Sequence, residues 1–149
     1  MRKRPSARLL VLDPQNRVLL FRFRHTRDAL AGRVYWATPG GGVEAGETYQ
    51  MAARRELLEE AGIHVNNVGP RVAERRFILQ LPDGEHVEAE EYFFAVRVND
   101  HAISGAGRTS EELLVMTEHR WWSLDALRAT LDIIYPEDLA QILEPILHP

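Results

Sequence analysis

Residues 41–63 read GGVEAGETYQMAARRELLEEAGI, and Glu56, Glu59 and Glu60 place three carboxylates inside five positions of that stretch. From about Thr48 to Ala61 the pattern is helical, and Gly62 is suited to end the helix as its C′ residue. With about 100° of rotation per residue, the three glutamates fall in a sector roughly 100° wide. Ala53, Leu57 and Ala61 form a neighbouring apolar stripe, with Leu58 at its far edge, that should face a sheet. The carboxylates therefore stand beside the buried stripe, near the rim of whatever cleft the helix borders. Each close pair of like charges costs an isolated helix about 0.2–0.5 kcal/mol. Arg54 and Arg55 offset part of this. The crowding has two readings. One is a solvated acidic face, since glutamate is a strong helix former. The other is a hard-cation site, since Mg²⁺ and Mn²⁺ prefer oxygen ligands in octahedral geometry.

Outward from the helix, the chain reads as one domain over residues 1–149, long enough to bury a core without disulfide staples. With 45% hydrophobic and 27% charged residues it has the composition of a soluble globular protein. The absence of cysteine excludes a disulfide framework, a thiol nucleophile and cysteine-ligated zinc. A net charge of -4 argues against a dedicated binder of nucleic-acid polymers. The apolar run LLVL is cut off at Asp13, too short for a secretory signal, and no span approaches a membrane helix. The expectation is a cytoplasmic protein.

ARLLVLD (7–13) and RVLLFRFR (17–24) are β-like runs separated by Pro14-Gln15-Asn16, and so predict a hairpin. VYWATP (34–39) is a short extended segment leading into Gly40, Gly41 and Gly42. A second hairpin joins RVAERRFILQL (71–81) to HVEAEEYFFAVRV (86–98) through Pro82-Asp83-Gly84-Glu85. Residues 99–112 read as a loop with a helical turn, and EHRWWSL (118–124) as a strand running into a short helix. After Pro136, the spacing of Leu139, Ile142, Leu143, Ile146 and Leu147 predicts a last helix with one buried face. Hairpins with interspersed helices imply an α/β protein with a mixed sheet.

The segment 41–63 fits the pattern G-x5-E-x7-R-E-U-x-E-E-x-G-U, with U aliphatic, at every fixed position. The matching residues are Gly41, Glu47, Arg55, Glu56, Leu57, Glu59, Glu60, Gly62 and Ile63. A chance match at one starting point is on the order of 10⁻⁹, which sets the solvated-face reading aside. The pattern is the Nudix box, and the chain resembles a Nudix hydrolase. The resemblance implies a Nudix-type α/β/α sandwich whose mixed sheet is flanked by the Nudix helix and a C-terminal helix. It implies divalent-metal-dependent hydrolysis of a diphosphate linkage in a nucleoside diphosphate joined to another moiety. The cofactor would be Mg²⁺ or Mn²⁺. By the same resemblance Glu56, Glu59, Glu60 and the carbonyl of Gly40 hold the metal. Glu47 braces Arg55, and Arg55 orients a metal-binding carboxylate. The general base stays open among Glu56, Glu59, Glu111, Glu112 and Glu118.

Substrate contacts are less sharply marked. Arg22 and Arg24 alternate with Phe21 and Phe23 and would meet phosphates or solvent, Gly41 allows close backbone approach, and Trp36 offers a stacking surface. Tyr35, Phe77 and Tyr92 are further aromatic candidates. The six histidines form no metal-binding pattern and read as mostly surface residues. Substrate marks known for some relatives, a proline or tyrosine about sixteen residues past the box, are replaced here by Ile78-Leu79-Gln80. The expected partner is a small nucleotide derivative, with a homodimer left open. The competing reading is a catalytically silent nucleotide-sensing module, which usually lacks box carboxylates.

Overall fold

The computed structural model describes all 149 residues. Strand β1 (Lys3–Leu12) turns at Asp13 into β2 (Val18–Arg24) as an antiparallel pair, the hairpin expected. Asp13 holds the turn: its Oδ1 accepts from the N–H groups of Gln15 and Arg17, at 3.0 and 2.8 Å. β3 (Val34–Ala37) pairs antiparallel with β2. The glycine run forms β4 (Gly40–Gly42), which pairs with β1. The box helix α1 covers Tyr49–Ala61, capped by Thr48, whose side chain accepts from Met51 N–H, and closed by Gly62 at φ 71°. β5 (Ala73–Gln80) and β6 (His86–Arg97) form the second hairpin. The turn expected after residue 99 is α2 (Ser110–Val115), followed by β7 (Met116–Trp122) and α3 (Leu124–Ala129). A two-residue strand β8 (Ile134–Tyr135) precedes α4 (Leu139–Leu147).

The sheet runs β5-β6-β1-β2-β3-β8, with β4 also on β1 and β7 also on β2. β1 lies parallel to β6 from Lys3↔Glu88 to Leu12↔Arg97, which makes the sheet mixed. β1 is buried on both faces, which explains the unbroken LLVL run. Leu9 and Val11 pack with Ala53, Leu57 and Ala61 of α1, and Leu10 and Leu12 pack with Leu139, Leu143 and Leu147 of α4. Strand alternation thus divides one segment between two apolar layers, giving the helix–sheet–helix sandwich. Trp121 packs against the α1 layer and Trp122 lies in the α4 layer. Leu58 departs from the expected stripe and is 48% exposed. No helix is long and apolar enough to cross a membrane.

Candidate active site

α1 delivers Glu56 and Glu60 one turn apart on its sheet-facing side. They are 8% and 3% exposed, deeper than the rim position that helical periodicity suggests. α2 brings Glu112 across from them. One carboxylate oxygen from each of Glu56, Glu60 and Glu112 lies within 4.8 Å of the others. Three hard oxygen donors at this spacing suit a hexacoordinate dication such as Mg²⁺ or Mn²⁺. Burial raises the Glu56 carboxyl above its usual range. Burial first, then a hydrogen bond with Glu112 and the charge of Glu56, raises Glu60 well above it. Crowded carboxylates in a dry place hold protons unless a cation replaces them.

The glycine strand makes this packing fit. A Cβ on Gly41 would come within 2.6 Å of Glu56 Oε1, so the carboxylate occupies the space a side chain would take. Gly40 has φ 141°, and a Cβ there would collide with the Ala7 carbonyl of β1. Its N–H donates to Glu60 Oε1 at 2.6 Å, and its carbonyl accepts from Arg8 Nη1 at 3.2 Å.

Arg55 is the brace. Its Nε and Nη2 donate to Glu47 Oε2 and Oε1 at 2.8 and 2.9 Å, a bidentate pair. Nη2 also donates to the Gly42 carbonyl at 3.0 Å, and Nη1 to Glu56 Oε1 at 3.0 Å and Glu59 Oε2 at 3.3 Å. The hydrogen bond to Glu47 leads the causes that push the guanidinium above its usual value. The Arg55 hydrogen bond, against the opposing effect of burial, holds Glu47 below the usual carboxylate range. Box loop, β4 and α1 are thus tied together through one side chain.

The carboxylates open into a cavity of about 480 Å³ that also takes in Arg4, Arg8, Gly41, His25, Tyr35 and Glu111. A second cavity, of about 470 Å³, shares Arg8, Leu30, Tyr35, Ala37, Leu79 and Gln80 with it and adds Phe77, Tyr135 and Arg75. The two form one cleft. One end is acidic and the other is aromatic with arginines. Arg8 is held by Glu91 at 2.9 Å. The Arg4 guanidinium donates one side-chain hydrogen bond, to the Ser6 hydroxyl at 2.8 Å, and burial with the nearby Arg8 charge lowers it from the usual value.

Sequence expectations meet this geometry unevenly. Glu47, Arg55, Glu56, Glu60, Gly40 and Gly41 lie together in space. Glu59 turns to Arg55 at the outer edge and is absent from the triplet, where Glu112 stands. Of the acids read as bases, Glu56, Glu111 and Glu112 line the cleft, while Glu118 pairs with Arg22 at 3.9 Å outside it. Arg22 and Arg24 do not reach the cleft, because β2 alternation turns Phe21 and Phe23 to the α1 side instead. Trp36 is 2% exposed in the α4 layer, edge-on to Trp122. Its neighbour Tyr35 takes the cleft face of β3, as strand alternation requires. His25, read as a surface residue, is 3% exposed. The sequence signal for Arg4 and Arg8 was their spacing: four apart in a strand puts them on one face.

The comparisons agree with this picture. An RNA pyrophosphohydrolase of Rickettsia bellii (strain OSU 85-389) is 29% identical over 149 residues, covering 89% of this chain and 81% of that protein. The crystal structure of a MutT protein from Methanosarcina mazei Go1 has a TM-score of 0.75 at 21% identity, covering 99% of this chain and 97% of that one. The NUDIX domain of Shewanella oneidensis NrtR, complexed with ADP ribose, has a TM-score of 0.68 at 13% identity, covering 99% and 90%. At these identities the structural matches speak for the fold. The family model described as NUDIX domain matches residues 2–143, so only Met1, the end of α4 and the tail lie beyond it, and the chain belongs to the Nudix family of hydrolases.

Proposed function

We propose that the chain hydrolyses a diphosphate linkage in a nucleotide derivative, with Mg²⁺ or Mn²⁺ held by Glu56, Glu60 and Glu112. The observation that carries this reading is the triplet of carboxylates within 4.8 Å of one another at the acidic end of the cleft. When bound, a dication there supplies positive charge against phosphate oxygens and makes an attacking water more acidic. The chain's own groups position and neutralise. Arg4 and Arg8 offer guanidinium charge to the phosphates from the β1 wall. Gly40 N–H fixes one Glu60 oxygen, and Arg55 fixes Glu56. Phosphoryl transfer asks for little more than such positioning and electrostatics. Glu111, which lines the same cleft and stands outside the cation-holding triplet, is the carboxylate left to take a proton from water.

The intact box weighs against the silent sensing module. The name of the Rickettsia bellii relative brings a 5′-phosphorylated RNA end into the substrate class, against the expectation from net charge that polymers are excluded. The test is a turnover screen of the pure chain with Mg²⁺ or Mn²⁺. It covers nucleoside triphosphates, nucleotide sugars, dinucleoside polyphosphates and a 5′-triphosphorylated RNA oligonucleotide, with product analysis. Cation-dependent release of phosphate or nucleotide is expected. Undiminished turnover in excess chelator, or none with any substrate, would remove the reading.

A further inference from the structure

Tyr35, which lines both halves of the cleft, ends a hydrogen-bonded chain of three side chains that the phosphate chemistry does not use. Asp28 Oδ2 lies 2.7 Å from His25 Nδ1, and His25 Nε2 lies 2.8 Å from the Tyr35 hydroxyl. All three residues line the cleft, and His25 is buried. The chain has one consistent polarity when the imidazole is neutral. A carboxylate only accepts, so Nδ1 carries the hydrogen, Nε2 is the acceptor, and Tyr35 O–H must donate to it. Burial opposes ionisation of Asp28, but its hydrogen bonds with His25 and Leu30 outweigh that and hold it below the usual aspartate range. Burial pushes the Tyr35 hydroxyl up to about 12, so it keeps its proton. The Tyr35 oxygen is left able only to accept.

We propose that the Asp28–His25–Tyr35 chain fixes the Tyr35 hydroxyl as a hydrogen-bond acceptor at the centre of the cleft, where it selects a nucleoside carrying a donor. This rests on the cleft being the nucleotide site. Phe77 and Tyr135 line the same cavity as Tyr35, and Tyr135 meets Tyr35 edge-on with ring centroids 5.2 Å apart. Such walls suit a flat ring, so the donor is assigned to an exocyclic amino group of the base. A ribose hydroxyl has the same donor chemistry.

Asp28 makes the polarity reversible by mutation. Its Oδ1 accepts from Leu30 N–H at 2.8 Å. In Asp28→Asn the amide oxygen is required there, so the amide NH₂ faces His25 Nδ1 and moves the imidazole hydrogen to Nε2. Tyr35 then accepts from His25, and its own hydrogen is free to donate into the cleft.

The experiment measures kcat/KM of the full chain with Mg²⁺, and nucleotide affinity by calorimetry, for ATP against ITP, CTP against UTP, and ribo- against 2′-deoxynucleotides. Wild type should prefer the amino member by about tenfold, the scale of one neutral hydrogen bond. Tyr35→Phe keeps the ring, and should bring the ratio near one through KM with kcat within about twofold. Asp28→Asn should invert the amino-over-oxo preference. A loss confined to the ribo/deoxy pair places the donor on the sugar. A ratio that Tyr35→Phe leaves unchanged in every series overturns the proposal while the hydrolase reading stands. If that variant does not fold, a preference that Asp28→Asn fails to invert overturns it. Binding preferences that shift as described, without turnover of any substrate in the wider screen, keep the proposal and defeat the hydrolase reading. A wild type that binds none of these nucleotides overturns the proposal, and the hydrolase reading falls with it only when the rest of the screen also shows no turnover.

Discussion

Glu60 combines near-complete burial, a backbone N–H donated by Gly40 and two neighbouring carboxylates. Glutamine keeps its shape and still accepts from Gly40, but offers a cation no charge. Glu60→Gln should therefore lower kcat/KM at least about 100-fold and abolish Mn²⁺ uptake in calorimetry, with an unchanged circular dichroism spectrum. Arg55 is a sharper test of geometry. Lysine carries the same charge but cannot form the fork to Glu47 while reaching Gly42 and Glu56. Arg55→Lys should cost about 10–100-fold in kcat/KM, with most of the loss recovered at raised Mg²⁺ if the defect is a misplaced carboxylate. The box spelled out these residues because each sits at a fixed spacing along one loop and helix. It did not announce Glu112, which reaches the site from α2 about fifty residues later and sits in an ordinary acidic stretch. Nor did it announce Tyr35, which one residue of strand alternation separates from the buried Trp36.

α1 and β4 work as a pair at the scale of elements. Thr48 caps the helix, accepting from Met51 N–H at 3.1 Å. Thr48→Ala should cost about 1 kcal/mol and lower Tm by roughly 2–4 °C in a thermal melt, leaving kcat/KM unchanged because the cap lies about two helical turns before Glu56. Gly41→Ala should do the reverse. The new Cβ would meet Glu56 Oε1 at 2.6 Å, so the carboxylate must move. Mn²⁺ affinity is expected to fall about tenfold, read by calorimetry, with little change in Tm. Both hairpins, the box helix and α4 were legible in the chain, since turn chemistry and hydrophobic period are properties of near neighbours. β4 and β8 were not, being three and two residues long. Their strand character comes from pairing with β1 and β3 and leaves no period to read.

At the scale of the whole molecule, Asp13 in the β1–β2 turn is 1% exposed and faces Arg17 Nε at 2.8 Å and His101 Nε2, from a loop distant in sequence, at 2.9 Å. Burial alone would raise its carboxyl. The Arg17 N–H, His101 and the Arg17 guanidinium together hold it below the usual value of 3.8. With its folded value below the unfolded one, its contribution to stability is complete above the unfolded value and is lost as pH falls through the folded one. Wild type should thus exceed Asp13→Asn in Tm by a constant margin at neutral pH. That margin should shrink below about pH 4, and a margin independent of pH would refute the assignment. At this scale the parallel pairing of β1 with β6 organises everything else. It places Arg4 and Arg8 on one cleft wall and sends alternate residues of LLVL to α1 and α4. By itself the sequence determined the box residues, with them the family they resemble, and the helices and hairpins, while the brace between Glu47 and Arg55 was what that resemblance implied. Box, helices and hairpins are written in local spacing, which near-neighbour geometry enforces. Only the tertiary structure decided which face of β2 and β3 meets the cleft, that Glu112 completes the acidic triplet, and that Asp28, His25 and Tyr35 join. Those outcomes turn on strand partners and loop returns distant in sequence, chosen by burial of the two apolar layers and invisible to any local pattern.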